Sequence, residues 1–348
     1  MFATHEAHLP TAPSVRTRAR FPAAGLFVAA LLVIAVIIVT IAASPWQSTR
    51  ERAAAFPASL SWHVTAPAHG YGALATEYRQ ASDLVTLDGR FFVLDTGNSR
   101  ILVQDSHGTL LRAIDGADGG AVLRTPMALA TDGVYLYVAN TGASQVLALE
   151  TDGRVTRTLD LSSVAPAARP VRPVGLALAP DGGLLVSDPD NNRVLHLNPD
   201  GTLLQALGSG VRAGGAEGFN APAGLAVDAA GFTYVVDTLN GRVVKLSPAG
   251  SIIQQFGRPG DTAGTFSRPK DVAVDAAGKV YVSDTLLAAV QVFAPNGDYL
   301  GFIGRRDPGD AHSRSLFTAP AGLNVVGDEL YVVDRFAGVF AFRLSESY

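Results

Sequence analysis

The chain has no cysteine among its 348 residues, which excludes disulfides, thiolate metal sites and a cysteine nucleophile, though it does not identify a compartment. It is also short of charge of either sign. Lys and Arg total 27 against 31 Asp and Glu, so the net charge of −4 leaves no basic footprint and nucleic acid is not an expected partner. No Gly-rich phosphate loop, Ser nucleophile elbow or His-Glu zinc helix is present. The histidines of the body (His63, His69, His107, His196 and His312) are scattered over turns, linkers and strands. Three of them are not expected to converge on one zinc.

Glycine and proline are plentiful instead, with 36 and 20 residues in a chain that is 48% hydrophobic. Residues 219–257 show how they are used. Pro222 precedes a strand at 224–228, Gly231 turns it, and Thr233–Val236 forms a second strand ending in Asp237. The Asn240-Gly241-Arg242 turn leads to a third strand at 243–246 and the Pro248-Ala249-Gly250 turn to a fourth at 252–256. Four β-rich runs punctuated by Gly, Pro, Asn and Asp describe an antiparallel meander. Such a unit cannot bury both faces alone and requires neighbours like itself.

One long uncharged run stands apart, at residues 23–43. At about 1.5 Å per residue it would span roughly 31 Å, close to the hydrocarbon thickness of a bilayer. Arg16, Arg18 and Arg20 precede it, and no Lys or Arg follows until Arg50. The positive-inside rule then places a cytoplasmic tail at 1–22, a membrane helix acting as signal anchor at 23–43, a stalk at 44–58 and an extracytoplasmic body at 59–348. The expected location is the plasma membrane, single-pass. A cleaved signal peptide is the competing reading, and the run exceeds the usual apolar length of one.

The acidic or amide residue closing the second strand recurs at Asp95, Asn140, Asp188, Asp237, Asp284 and Asp334, at intervals of 45 to 50 residues. The opening proline recurs at Pro126, Pro173, Pro222, Pro269 and Pro320, and the third-turn glycine at Gly108, Gly153, Gly201, Gly250 and Gly297. Three markers keeping one period mean repetition. The last unit ends too early for a fourth strand, and Ser59–Val64 is an orphan strand before the first unit. A closed ring results if the orphan becomes the outer strand of the last blade, leaving no long open edge. The fold expectation is therefore all-β: a six-bladed propeller of four-stranded blades.

The pattern from Pro222 to Val243, with Gly224, Asp228, Gly231, Tyr234, Asp237-Thr238, Asn240 and Arg242, resembles the NHL repeat, whose members form six-bladed propellers. Blade 5 follows the pattern from Pro269 to Thr285 and then departs at Leu287 and Ala289. Blade 2 has Asn140 and Gln145, and blade 6 has Val339, where the repeat carries Asp and Arg. The resemblance implies a fold that hosts binders, scaffolds and enzymes alike.

Residues repeated in every blade are expected to serve the blade: Asp caps a turn, Asn tolerates left-handed backbone and Arg bridges to the carboxylate. Tyr137, Tyr234, Tyr281 and Tyr331 recur in the same way and are expected to pack between blades. Function is expected where siblings differ. First strands line a propeller channel, and most open with small apolar pairs, but blades 1 and 5 open with Ser82-Asp83 and Lys270-Asp271, and Asn324 interrupts blade 6. Asp83, Lys270, Asp271 and Asn324 are the candidate site at the channel mouth, with no cofactor expected beyond a Ca²⁺ that two carboxylates and an amide could hold. Variable linkers on one face carry Arg212, Arg258, Arg305 and Arg306, a candidate binding rim for an unknown protein, peptide or anionic polymer. The expected function is a membrane-tethered ligand- or protein-binding module. The alternative is a metal-dependent hydrolase or lyase like the gluconolactonase or amidating-lyase propellers.

Overall fold

The structure is a computed structural model that describes residues 58–64, 78–116, 122–164, 166–215, 218–304 and 315–344. The chain divides into two compact units, Met1–Arg52 and Ala53–Tyr348, and all of these residues belong to the second. The expected span at 23–43 lies outside them, as does the stalk up to residue 57. Among the described residues no helix is long and apolar enough to cross a membrane.

Six antiparallel sheets of four strands each follow one another along the chain. Their innermost strands are Asp83–Leu87, Leu129–Thr131, Leu176–Leu178, Pro222–Val227, Pro269–Val274 and Pro320–Val326. Each touches the next, and the sixth returns to the first, so the ring is closed. Closure occurs as the short last repeat requires. Ala58–Val64 pairs antiparallel with Gly338–Leu344 as the outer strand of blade 6, starting one residue earlier than the sequence suggested.

Six apolar clusters fill the six interfaces between blades. In blades 2 and 3, for example, Ala130, Tyr137 and Val146 meet Leu176, Val186 and Leu195. The recurrent tyrosines do pack there, and each also turns its hydroxyl to an acid at a strand end. Tyr137 donates to Asp132 at 2.9 Å, Tyr281 to Asp275 at 3.0 Å and Tyr234 to Asp228 at 3.2 Å. A buried phenol keeps its apolar ring and satisfies its one polar atom.

The recurrent aspartate is a knot. Asp237 Oδ1 accepts the N–H of Asn220, in the linker entering the blade, at 2.7 Å, while Oδ2 accepts from Asn240 Nδ2 and Arg242 Nε, both at 2.7 Å. Asp95 and Asp188 repeat the arrangement with Arg100 and Arg193. Asp284 and Asp334, in blades without the arginine, fill the space with backbone N–H groups of linker and turn. In four blades a threonine one residue on then ties the blade to the next. Thr96, Thr238 and Thr285 donate to the carbonyls of Pro126, Pro269 and Pro320 at 2.8, 3.2 and 3.0 Å, and Thr141 donates to Pro173.

Asp237→Ala leaves a buried guanidinium without its counter-charge and is expected to destabilise the propeller by about 3–5 kcal/mol, measured by denaturant unfolding. A loss under about 1 kcal/mol would show the knot to be dispensable.

Candidate functional site

The six inner strands enclose a central channel of about 430 Å³. Asp83, Lys270, Asp271 and Asn324 all line it, and they are not equivalent.

Asp83 and Asp271 occupy the same place in the first strand of blades 1 and 5, and their side chains reach to the following blade. Asp83 Oδ2 accepts the N–H of Leu129 in blade 2 at 2.7 Å, and its Oδ1 accepts from Leu84 at 2.8 Å. Asp271 Oδ2 accepts the N–H of Leu323 in blade 6 at 2.8 Å. Its own N–H donates to Ser283 Oγ at 3.0 Å, and that hydroxyl donates to the Ala321 carbonyl at 2.6 Å.

Glycine stands beside each aspartate for a steric reason. A Cβ on Gly322 would lie 2.6 Å from Asp83 Cα, and one on Gly224 would lie 2.2 Å from Asp271 Oδ1. The two aspartates thus flank one strand of blade 6, Asp271 bonding Leu323 while Asp83 packs on Gly322. The site sits where the ring closes.

Electrostatics follow from that placement. Burial raises the Asp83 carboxyl well above the usual range, and the neighbouring Asp271 charge raises it further, against the pull of the two N–H donors and Lys270. Burial likewise brings Asp271 up to about 6, opposed by the Leu323 and Val272 N–H groups and by Lys270. Lys270 is pushed down, first by burial and then by the charge of Arg335, with Asp271 and Asp83 opposing. Among the described residues no acceptor pairs with Lys270 Nζ. Arg335 Nε is buried without a hydrogen-bond partner, and Arg335 Nη2 reaches only Gln80 Oε1, at 3.4 Å. The positive charges of Arg335 and Arg268 thus add to burial in disfavouring the Lys270 ammonium, beside carboxylates whose ionisation is suppressed.

Arg335 is the residue that sequence reasoning missed. It stands where the Asp-Thr pattern puts the threonine that latches one blade to the next, and only Pro189 in blade 3 breaks the pattern likewise. That departure was the available signal. Asn324, in contrast, does not join the pair. It lies opposite Tyr331 on the face of blade 6 turned to blade 1, at the position filled by Val85, Ala130, Ala177, Ala226 and Ala273 elsewhere. On the rim, Arg212 and Arg258 are exposed on linkers, and Arg305 and Arg306 lie outside the described residues.

The donor set does not suit a calcium ion. Ca²⁺ takes roughly six to eight oxygens. Here the Asp83 oxygens and Asp271 Oδ2 already accept N–H groups, and an ammonium occupies the same mouth. Among the described residues no group of three or more His, Asp or Glu comes together to hold a metal. His196 lies at the other end of the blade, 3.1 Å from Asp181.

Solved structures share this architecture. A putative gluconolactonase superposes with a TM-score of 0.59 at 19% identity, covering 84% of this chain and 97% of that one. The fold is that of the lactonase and lyase propellers. A streptogramin B lyase gives 0.58 at 12% identity over 78% of this chain and 96% of its own. A virginiamycin B lyase from Staphylococcus aureus gives 0.57 at 13% identity over 78% and 83%. No family model matches the sequence, and no curated protein does.

Because the native carboxyl of Asp271 ionises near 6 and an unfolded one near 3.8, the unfolded chain gives up this proton first. Native stability therefore falls as pH rises through about 4 to 6, and the cost is complete above that window. Asp271→Asn removes it. Denaturation from about pH 4 to pH 7 should show the variant gaining roughly 1–2 kcal/mol on the parent protein, after allowance for channel water. A difference that does not change with pH would mean the native carboxyl ionises normally.

Proposed function

We propose that this chain is a membrane-tethered, extracytoplasmic propeller of the NHL-repeat kind whose channel mouth binds a small ligand through an anionic group. The observation that carries this reading is Lys270, set in the channel wall without an acceptor among the described residues, with the buried, unpartnered Nε of Arg335 on a turn of the same face. A part-buried cation without a counter-charge costs free energy that a bound anion would recover. An arginine fork and an ammonium are the donors that carboxylate and phosphate recognition uses. Burial and the neighbouring Asp271 push the Asp83 carboxyl toward its neutral form, which lessens the negative charge at the mouth. Arg212 and Arg258, exposed on the linkers, would draw anions or an acidic partner to the same face.

A second reading, an extracytoplasmic hydrolase or lyase, is favoured by one specific feature. Asp83 and Asp271 are neighbouring carboxyls whose affinities for protons are both raised, as in general acid–base pairs. Turnover of a bound lactone would decide for it, and binding without conversion would decide against it.

Calorimetric titration of the full chain should show butanoate binding and butanamide, its uncharged analogue, failing to bind. Lys270→Met should weaken butanoate at least tenfold. Equal binding of the two probes would overturn the anion reading. The cysteine-free chain also permits a direct test of topology. A single Ser106→Cys, at an exposed turn tip, should be labelled in intact cells by a membrane-impermeant maleimide. Labelling only after lysis would place the propeller inside.

A further inference from the structure

The channel is lined by backbone as well as by side chains. An innermost strand has a partner strand on one side only. Residues of an antiparallel pair alternate between bonding the partner and turning their N–H and C=O away from it. In blade 4 the Asp228 N–H bonds the Phe232 carbonyl at 3.0 Å, so Leu225, three residues back and opposite Val235, turns its N–H into the channel. Blade 3 repeats this. Ala179 bonds Gly183 at 2.9 Å, and Leu176, opposite Val186, faces inward. Both leucine side chains lie in apolar clusters between blades, so what these residues present to the channel is backbone.

Six such N–H groups form a ring, one per blade, at Leu84, Leu129, Leu176, Leu225, Val272 and Leu323. Two carboxyl groups cover four of them. Asp83 bridges blades 1 and 2, taking the N–H of Leu84 at 2.8 Å and that of Leu129 at 2.7 Å. Asp271 bridges blades 5 and 6, taking Leu323 at 2.8 Å with the Val272 N–H against it as well. Each aspartate directly precedes the first member of its pair in the chain. The same position in blade 3 is Gly175, which brings no carboxyl to Leu176 and Leu225. Glycine is required there, because a Cβ would lie 2.2 Å from the Ala223 carbonyl oxygen of blade 4. Blades 3 and 4 meet too closely for a side chain from the strand, and their N–H pair is open only from the channel.

We infer that the carboxylate of a small ligand seats on the Leu176 and Leu225 N–H groups, standing in for the aspartate that blade 3 lacks. This rests on the anion-binding reading above and adds the seat and the class of ligand, a small carboxylate. The protein itself supplies the precedent twice, since one carboxyl group spans the N–H groups of two adjacent blades at Asp83 and again at Asp271. Hydrogen bonds from N–H groups to an ionised carboxylate are among the strong ones. The Lys270 ammonium lines the same channel and offsets the charge of Asp271, which stands against Gly224 of blade 4. At about 430 Å³ the channel accommodates a molecule of a few carbons.

The test follows the amide resonances of the full chain, carrying nitrogen-15 in its leucines and held in lipid nanodiscs, during titration with butanoate. The Leu176 and Leu225 amide protons should move downfield, while those of Leu129 and Leu323, already bonded to carboxyl groups, should stay in place. Butanamide should move none of the four. Replacing Leu225 by its α-hydroxy acid exchanges only the N–H for an ester oxygen and should weaken butanoate about tenfold. The same exchange at Val227, two residues further along the strand, should leave affinity unchanged. If butanoate binds with the Leu176 and Leu225 resonances unmoved, or with the ester at Leu225 silent, the seat is overturned and the anion reading stands. If butanoate does not bind the parent protein, both fail.

Discussion

The propeller depends on one buried carboxylate in each of five blades. At the end of the second strand it gathers three things that would otherwise be unsatisfied: the N–H groups of the arriving linker, the amide of the turn, and an arginine from the start of the third strand. A charge this deep is tolerated only when its lone pairs are filled, and here they are filled by groups whose positions define the blade. Blade 2 uses Asn140 instead, with its Oδ1 on the Arg124 N–H and its Nδ2 on the Val122 carbonyl, and correspondingly has Gln145 in place of arginine. Charge is removed from both partners together, which is why the exception does not break the rule.

Because the knot fixes the turn, the residues around it are free to be either latch or ligand contact. Threonine next to the aspartate ties a blade to its neighbour in four of the six places. At the junction of blades 6 and 1 the ring closes through Ala58–Val64, and there Arg335 replaces the latch. Ala81 also stands where other blades have the receiving proline. The same junction holds Asp83 against Gly322 and Asp271 against Leu323. Relaxed latching and concentrated charge occur together, as at a functional site that gives up some regularity for chemistry.

Much of this was legible beforehand, and the reason differs by residue. Asp83, Lys270 and Asp271 were visible because they depart from small apolar pairs in four sibling blades, and a repeat supplies its own control. Asn324 met the same criterion, yet its side chain belongs to the interface with blade 1 and not to the carboxylate pair. Departure from a pattern shows that a position is special and not which way it points. Arg335 was hidden because an arginine on a turn reads as a solvated surface charge. What makes it unusual is a buried Nε, which no local pattern encodes.

The sequence by itself determined the six blades, their register and the way the ring closes. Turn chemistry and period-two strands act between residues close along the chain, so their rules can be read there. Only the tertiary structure decided that Asp83 and Asp271, nearly 190 residues apart in the chain, flank one strand of blade 6. Their partners are backbone N–H groups of neighbouring blades, brought close by closure of the ring, and a backbone N–H has no signature in a sequence.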